Sequence, residues 1–240
     1  MGVDASDNRG YSMKRLLGLA LIGLLAGCVA PTQVVQIDNL SSVGEQPKIL
    51  LMPPDVKYYV LTAGGVPEPQ ADWTAAARVN FLQALSDFAA KRNTDVIMPD
   101  ETADDDPDII SYEKLHSAVG STILVNHFGL APLPSKAGMF DWSLGPGVNA
   151  IAKNYGADYA LFSFYRDYQA SGGRIAFAIL AAAAGASVST TAEFGFASLV
   201  DLNTGEIVWF NKVDVGAGEL RDEDGAMKVI ETLFAGLPEG

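Results

Sequence analysis

Residues 192–214 read Ala192-Glu193-Phe194-Gly195-Phe196-Ala197-Ser198-Leu199-Val200-Asp201-Leu202-Asn203-Thr204-Gly205-Glu206-Ile207-Val208-Trp209-Phe210-Asn211-Lys212-Val213-Asp214. Two apolar runs flank Asn203-Thr204-Gly205. That composition predicts strands over 192–201 and 206–214, joined as a β-hairpin whose glycine takes a positive φ. Beyond the hairpin, residues 222–236 place Ala226, Val229, Ile230, Leu233 and Phe234 on one face, the spacing of an amphipathic helix. Before it, residues 174–188 form an apolar stretch rich in small residues. It is too short to cross a bilayer and lacks the alternation of a membrane strand, so we expect a helix packed closely on a sheet.

The same alternation of periods runs back toward the N-terminus. Tyr159 to Tyr165 reads as a buried strand, preceded by a helix over 146–155. Helix 109–126 carries Ile110, Leu115 and Val119 among its apolar positions. Asp95 to Met98 reads as a strand stopped by Pro99. A helix with Asp72 as its N-cap puts Trp73, Ala77, Phe81, Ala84, Leu85 and Phe88 on one stripe. Lys48 to Met52 reads as a strand ended by Pro53 and Pro54, and Val56 to Leu61 as a further strand. Helices and strands interleave, which predicts a single α/β or α+β domain over 48–240, a mixed β-sheet covered by helices.

The chain is acidic, with 16 basic against 29 acidic side chains. Such a surface repels phosphate backbones and argues against nucleic acid as a partner. It also disfavours electrostatic binding to anionic headgroups, so membrane attachment needs another source. Residues 13–28 supply one. Lys14 and Arg15 precede an apolar run from Leu16 to Ala26, the length of a signal peptide rather than a membrane span. The run ends in Leu25-Ala26-Gly27-Cys28, which resembles the bacterial lipobox: small residues admit the peptidase, and the sulfur of Cys28, the sole cysteine, takes the lipid. Several acyl chains on one residue exceed the two-signal threshold for stable anchoring. We therefore read 1–27 as a signal peptide with Met13 as its start, and 28–47 as the lipidated terminus and a tether. By analogy with such lipoproteins, Val29 in place of aspartate favours the periplasmic face of the outer membrane.

Candidate chemistry is sparse. Ser111-Tyr112-Glu113-Lys114 fits the spacing of a penicillin-recognising nucleophile, but its companion motifs are missing. His116 and His127 lie 11 residues apart, which is no i, i+4 metal pair. The acidic segment 100–108 lacks the central glycine of a calcium loop. Gly145-Pro146-Gly147 does not follow a strand as a dinucleotide loop must. No metal, cofactor or catalytic set is expected, and the apolar loop residues Met139, Phe140 and Trp142 are the candidate partner surface.

Lys48 to Pro53 ahead of a long helix, Gly156-Ala157-Asp158-Tyr159 opening a strand, and the Asp201-Leu202-Asn203-Thr204-Gly205-Glu206 turn occur in an order that resembles a known periplasmic domain. It is the α/β domain of the curli-secretion and penicillin-binding-protein-activator lipoproteins, and is similar to the N-terminal domain of TolB. These phrases specify fold rather than function. The resemblance implies a non-enzymatic accessory lipoprotein that binds a periplasmic or envelope protein. Two alternatives stand beside it: a self-assembling, homo-oligomeric subunit of a curli-type secretion or pore complex, and an enzyme acting on cell-wall material.

Overall fold

The computed structural model describes residues 32–40, 46–92, 95–98, 106–214 and 216–239. Among them are eight strands: β1 (Gln33–Val35), β2 (Lys48–Leu51), β3 (Asp55–Leu61), β4 (Pro67–Pro69), β5 (Asp95–Ile97), β6 (Tyr159–Ala170), β7 (Thr191–Asp201) and β8 (Ile207–Asp214). Five α-helices accompany them: α1 (Ala71–Ala90), α2 (Pro107–Asn126), α3 (Asn149–Tyr155), α4 (Gly172–Ala183) and α5 (Glu223–Leu233). The signal peptide, Cys28 with Leu25-Ala26-Gly27, Pro99 and most of the acidic segment lie outside the described residues.

One mixed sheet organises these elements, in the order β1-β8-β7-β6-β2-β5. β6, β7 and β8 are antiparallel, joined at β7–β8 by the expected hairpin, with Gly205 at φ 80°. β2 pairs in parallel with the first residues of β6, and β3 with its second half. The break between them is Met52-Pro53-Pro54, where two prolines have no N–H to give the ladder. Among the described residues only β4, Pro67-Glu68-Pro69, lies beyond β3, and proline is tolerated on such an edge strand.

Alternation along β6 assigns its two faces. Tyr159, Leu161 and Tyr165 point to a core shared with Ala77, Phe81 and Leu85 of α1 and Val229, Ile230 and Leu233 of α5. Ala160, Phe162 and Phe164 point to a second core with Phe196 and Phe210, covered by Ile109 and Ile123 of α2 and Ile151 of α3. The sheet is thus buried on both faces, which explains the near-continuous apolar run of β6. Each fully buried large side chain contributes roughly 1.5–3 kcal/mol to holding the three layers together.

Four sequence expectations change. The segment assigned to the tether is folded from residue 32: β1 pairs with β8, Asn39 bridges Glu239 and Leu40 is buried. A three-residue edge strand is too short to show a period. α1 starts at Ala71 with Gln70 as N-cap and no side-chain cap, leaving Asp72 in its first turn. The buried face of α2 is Ile109, His116, Gly120 and Ile123, displaced from Ile110, Leu115 and Val119 because a histidine and a glycine occupy it. The helix within 174–188 forms, as α4, but it buries no residue and does not pack on the sheet.

Candidate functional site

Both histidines serve packing. Nε2 of His116 lies 2.9 Å from Ser198 Oγ, a serine–histidine pair by distance alone. The ring is 1% exposed and stacks on Phe162 at 4.9 Å, so no substrate reaches it. Burial pushes its pKa down to about 3, with the nearby Asp55 carboxylate opposing only weakly, so it is a neutral core residue at physiological pH. His127, just after α2, meets the edges of Phe128 and Phe140 at 4.9 and 5.1 Å. Ser111 is exposed and donates to the Pro107 carbonyl, with Lys114 also exposed.

The cluster richest in titratable groups lies on the other face, at the end of the sheet where β6 finishes and β7 begins. An open cleft of about 600 Å³ is lined there by Asp167, Gln169, Ile175, Thr191, Glu193 and Glu219. Two of its carboxylates are well partnered. Glu219 accepts from Arg221 at 2.6 Å, Tyr58 at 2.8 Å and Gln169 at 3.2 Å. Burial raises its pKa, but the Arg221 contacts overcome this and hold it down at about 2. Glu193 accepts from Tyr165 at 2.5 Å and from the Gly216 N–H at 2.9 Å. Burial and these carboxylate partners push both tyrosines far above the ordinary phenol value. Asp167 is 7% exposed and receives only a long 3.5 Å bond from Gln169. Burial chiefly, then Glu219 and Glu193, push its carboxyl up to about 6. Sequence reading missed this cluster because its members come from β6, β7 and the segment before α5, with no local motif. Neither histidine lines it.

Among the described residues, no group of three or more His, Cys, Asp or Glu side chains is arranged to hold a metal ion.

At the opposite end of the sheet, residues 127–145 run past the β7–β8 turn. Ser143 bridges Glu206, the Leu144 N–H donates to the Gly205 carbonyl, and the Ile207 N–H donates to the Trp142 carbonyl. Of the three predicted surface residues, Phe140 and Trp142 are half-buried against the second core, Phe140 lying 6.1 Å from Phe210. Lys136 sits 4.6 Å above the Trp142 ring. Met139 points outward at 61% exposure, and Leu130, which sequence reading did not single out, is fully exposed. The structure therefore makes a loop whose base is clamped and whose apolar tip is open.

Searched against protein-family models the sequence matches none, and no curated protein matches it. The chain is similar to the PelC dodecamer from Paraburkholderia phytofirmans at 12% identity, covering 87% of this chain and 96% of that chain with a TM-score of 0.38. It is also similar to lipoprotein GNA1162 from Neisseria meningitidis, at 13% identity, 70% and 81% coverage and a TM-score of 0.29. The LpoB C-terminal domain from Salmonella enterica matches at 17% identity, 72% and 84% coverage and a TM-score of 0.29.

Proposed function

We propose that this chain is a lipid-anchored accessory protein of the bacterial envelope that holds a protein partner rather than transforming a substrate. The anchor is Cys28, behind Leu25-Ala26-Gly27, and the location is the periplasmic face of the outer membrane. The observation that carries the partner-binding half is the 127–145 loop. It exposes Leu130 and Met139 while Phe140 and Trp142 pin its base, so an apolar contact is presented on a preformed support. Two buried polar groups support the same reading: His116 and Arg166 each have a partner within the fold, and the histidine–serine pair is closed to solvent.

A photo-cross-linking residue placed at Met139 in the native cells tests this. One or two discrete heterologous adducts, absent when the same residue replaces exposed Glu231, are expected. A ladder at multiples of the monomer mass would replace the adaptor with the self-assembling reading. With the cross-linker kept at position 139, L130S should reduce the adducts several-fold while leaving stability within about 0.5 kcal/mol, as for surface substitutions generally.

A further inference from the structure

Helix α4 is the part of the fold that its own core does not explain. None of its residues is buried; Ile175, Phe177, Ile179 and Leu180 are 48, 51, 65 and 71% exposed. Residues 175–192, eighteen in succession, carry no charged side chain, in a protein of net charge −13. A helix apolar on every side belongs in a core or in contact with lipid. Its twelve residues span ~18 Å, well short of the ~30 Å of a bilayer's hydrocarbon. No helix among the described residues is long and apolar enough to cross a membrane. A helix of this length that meets lipid lies against it without crossing.

The helix is held in place at one end. Ser171 Oγ accepts from the Arg174 N–H at 3.2 Å, and the Ser171 N–H donates to the Leu61 carbonyl at 2.9 Å. Nε of Arg174 donates to the Ser189 carbonyl at 2.8 Å, tying the helix to the segment that leads into β7. α4 thus projects from the end of the sheet at which β3 and β6 finish and β7 starts.

The register of β1 says what lies beyond that end. Gln33 pairs with Asn211, and Asn211 with Ala197. Because β1 is antiparallel to β8, its N-terminal end faces the same way as Asp214 and Thr191, the side that carries α4. Cys28 precedes Gln33 by five residues, a reach of at most about 18 Å. From Ala197 to Thr191, six residues along β7, is about 20 Å. The chain that leads back toward Cys28 therefore leaves the fold at the end that carries α4.

Resting on the lipid anchor proposed above, we infer that α4 is a membrane-seated foot: Ile175, Phe177, Ile179 and Leu180 enter the interface of the bilayer that holds Cys28. The helix fixes the orientation of the body and turns the β7–β8 end, with Leu130 and Met139, away from the lipid. Asp167, Glu193 and Glu219 beside its base disfavour anionic headgroups, so the surface recognised is a neutral one. A second copy of the chain is the competing cover. The proposed anchor favours lipid, because the chain that leads to it leaves the fold at this end.

With Cys28 lipidated, F177C gives the full-length protein a single free thiol for an environment-sensitive NBD label. E231C on exposed α5 is the control, and I179C guards against a local effect at one site. In phosphatidylcholine vesicles containing doxyl lipids, labels on F177C and I179C should be quenched at least threefold more than on E231C. Equal quenching on vesicle-bound protein overturns the foot and leaves the anchor standing. Shielding of the label that ignores doxyl lipid but grows with protein density assigns α4 to a second copy, and overturns it too. Protein that fails to float with the vesicles defeats the anchor and the foot together.

Discussion

Replacing Asp167 by asparagine should stabilise the protein at neutral pH and leave it unchanged in acid. Asp167 projects from β6 into the cleft among Glu193, Glu219, Arg221, Tyr58 and Tyr165, and burial with the two carboxylates raises its pKa to about 6. Between the ordinary value of 3.8 and about 6, the unfolded chain has lost the proton that the folded chain still holds. The folded state then binds more protons, so this group lowers stability as pH rises through that window, with the full cost present above it. A shift of about two units corresponds to a ceiling of about 3 kcal/mol at 1.36 kcal/mol per unit. Water in the open cleft screens part of this, leaving about 1–2 kcal/mol. Asparagine keeps the shape and removes the charge. Thermal unfolding followed by circular dichroism should place D167N about 2–8 °C above the wild type at pH 7.5, using the 2–4 °C per kcal/mol typical of a domain this size. At pH 3, below both values, the two curves should coincide. The other carboxylates titrate in both proteins and cancel to first order in the difference. A gap of equal size at both pH values, or D167N less stable at pH 7.5, would refute the reasoning.

Two further substitutions probe the second core. In G120A the new Cβ would sit 1.9 Å from Phe196 Cε2, and that ring is fixed between Phe164 at 4.6 Å and Phe210 at 5.6 Å. Overpacking should outweigh the helix propensity of alanine and cost about 2–3 kcal/mol, read as a lower urea midpoint. R166A removes the guanidinium that binds Asp55 at 2.7 Å and lies 3.9 Å over Phe164, leaving a partly buried carboxylate with only Ser117 at 2.9 Å and Lys57 at 3.6 Å. The expected loss is about 3 kcal/mol at pH 7. Burial raises the Asp55 pKa, but Arg166 outweighs it and holds the carboxyl below its ordinary value. The wild type therefore keeps this stability above that value and loses it as pH falls through the depressed pKa, so the gap to R166A should narrow in acid denaturation.

Much of the sheet was legible because its signals are local. Asn203-Thr204-Gly205 announces a hairpin by turn chemistry alone, and Tyr159 to Tyr165 announces a buried strand by its unbroken apolar run. Sequence could not show the second constraint on Gly205, where a Cβ would lie 2.1 Å from the Gly145 carbonyl oxygen. β6 runs five residues past its apolar stretch, because Arg166 finds in Asp55 a polar partner that only the fold brings near. The lining of α2 was misjudged for a related reason. His116 is neutralised by burial and satisfied by Ser198, while Gly120 makes room for Phe196, and neither is apolar on a hydropathy scale. Helix α4 marks another limit: an alanine-rich apolar segment has the same pattern whether it meets a sheet or a lipid surface. The carboxylate cleft, assembled from three distant segments, carried no local string to read.

The measurement that tests the central claim most directly is mass analysis of the N-terminal peptide of protein extracted from the cell's membrane fraction, beside a C28S variant. A mature chain beginning at Cys28 and carrying a diacylglyceryl group is expected, with C28S left unprocessed and unacylated. An unmodified Cys28 within a longer N-terminus, on protein still held in the membrane fraction, would contradict the account.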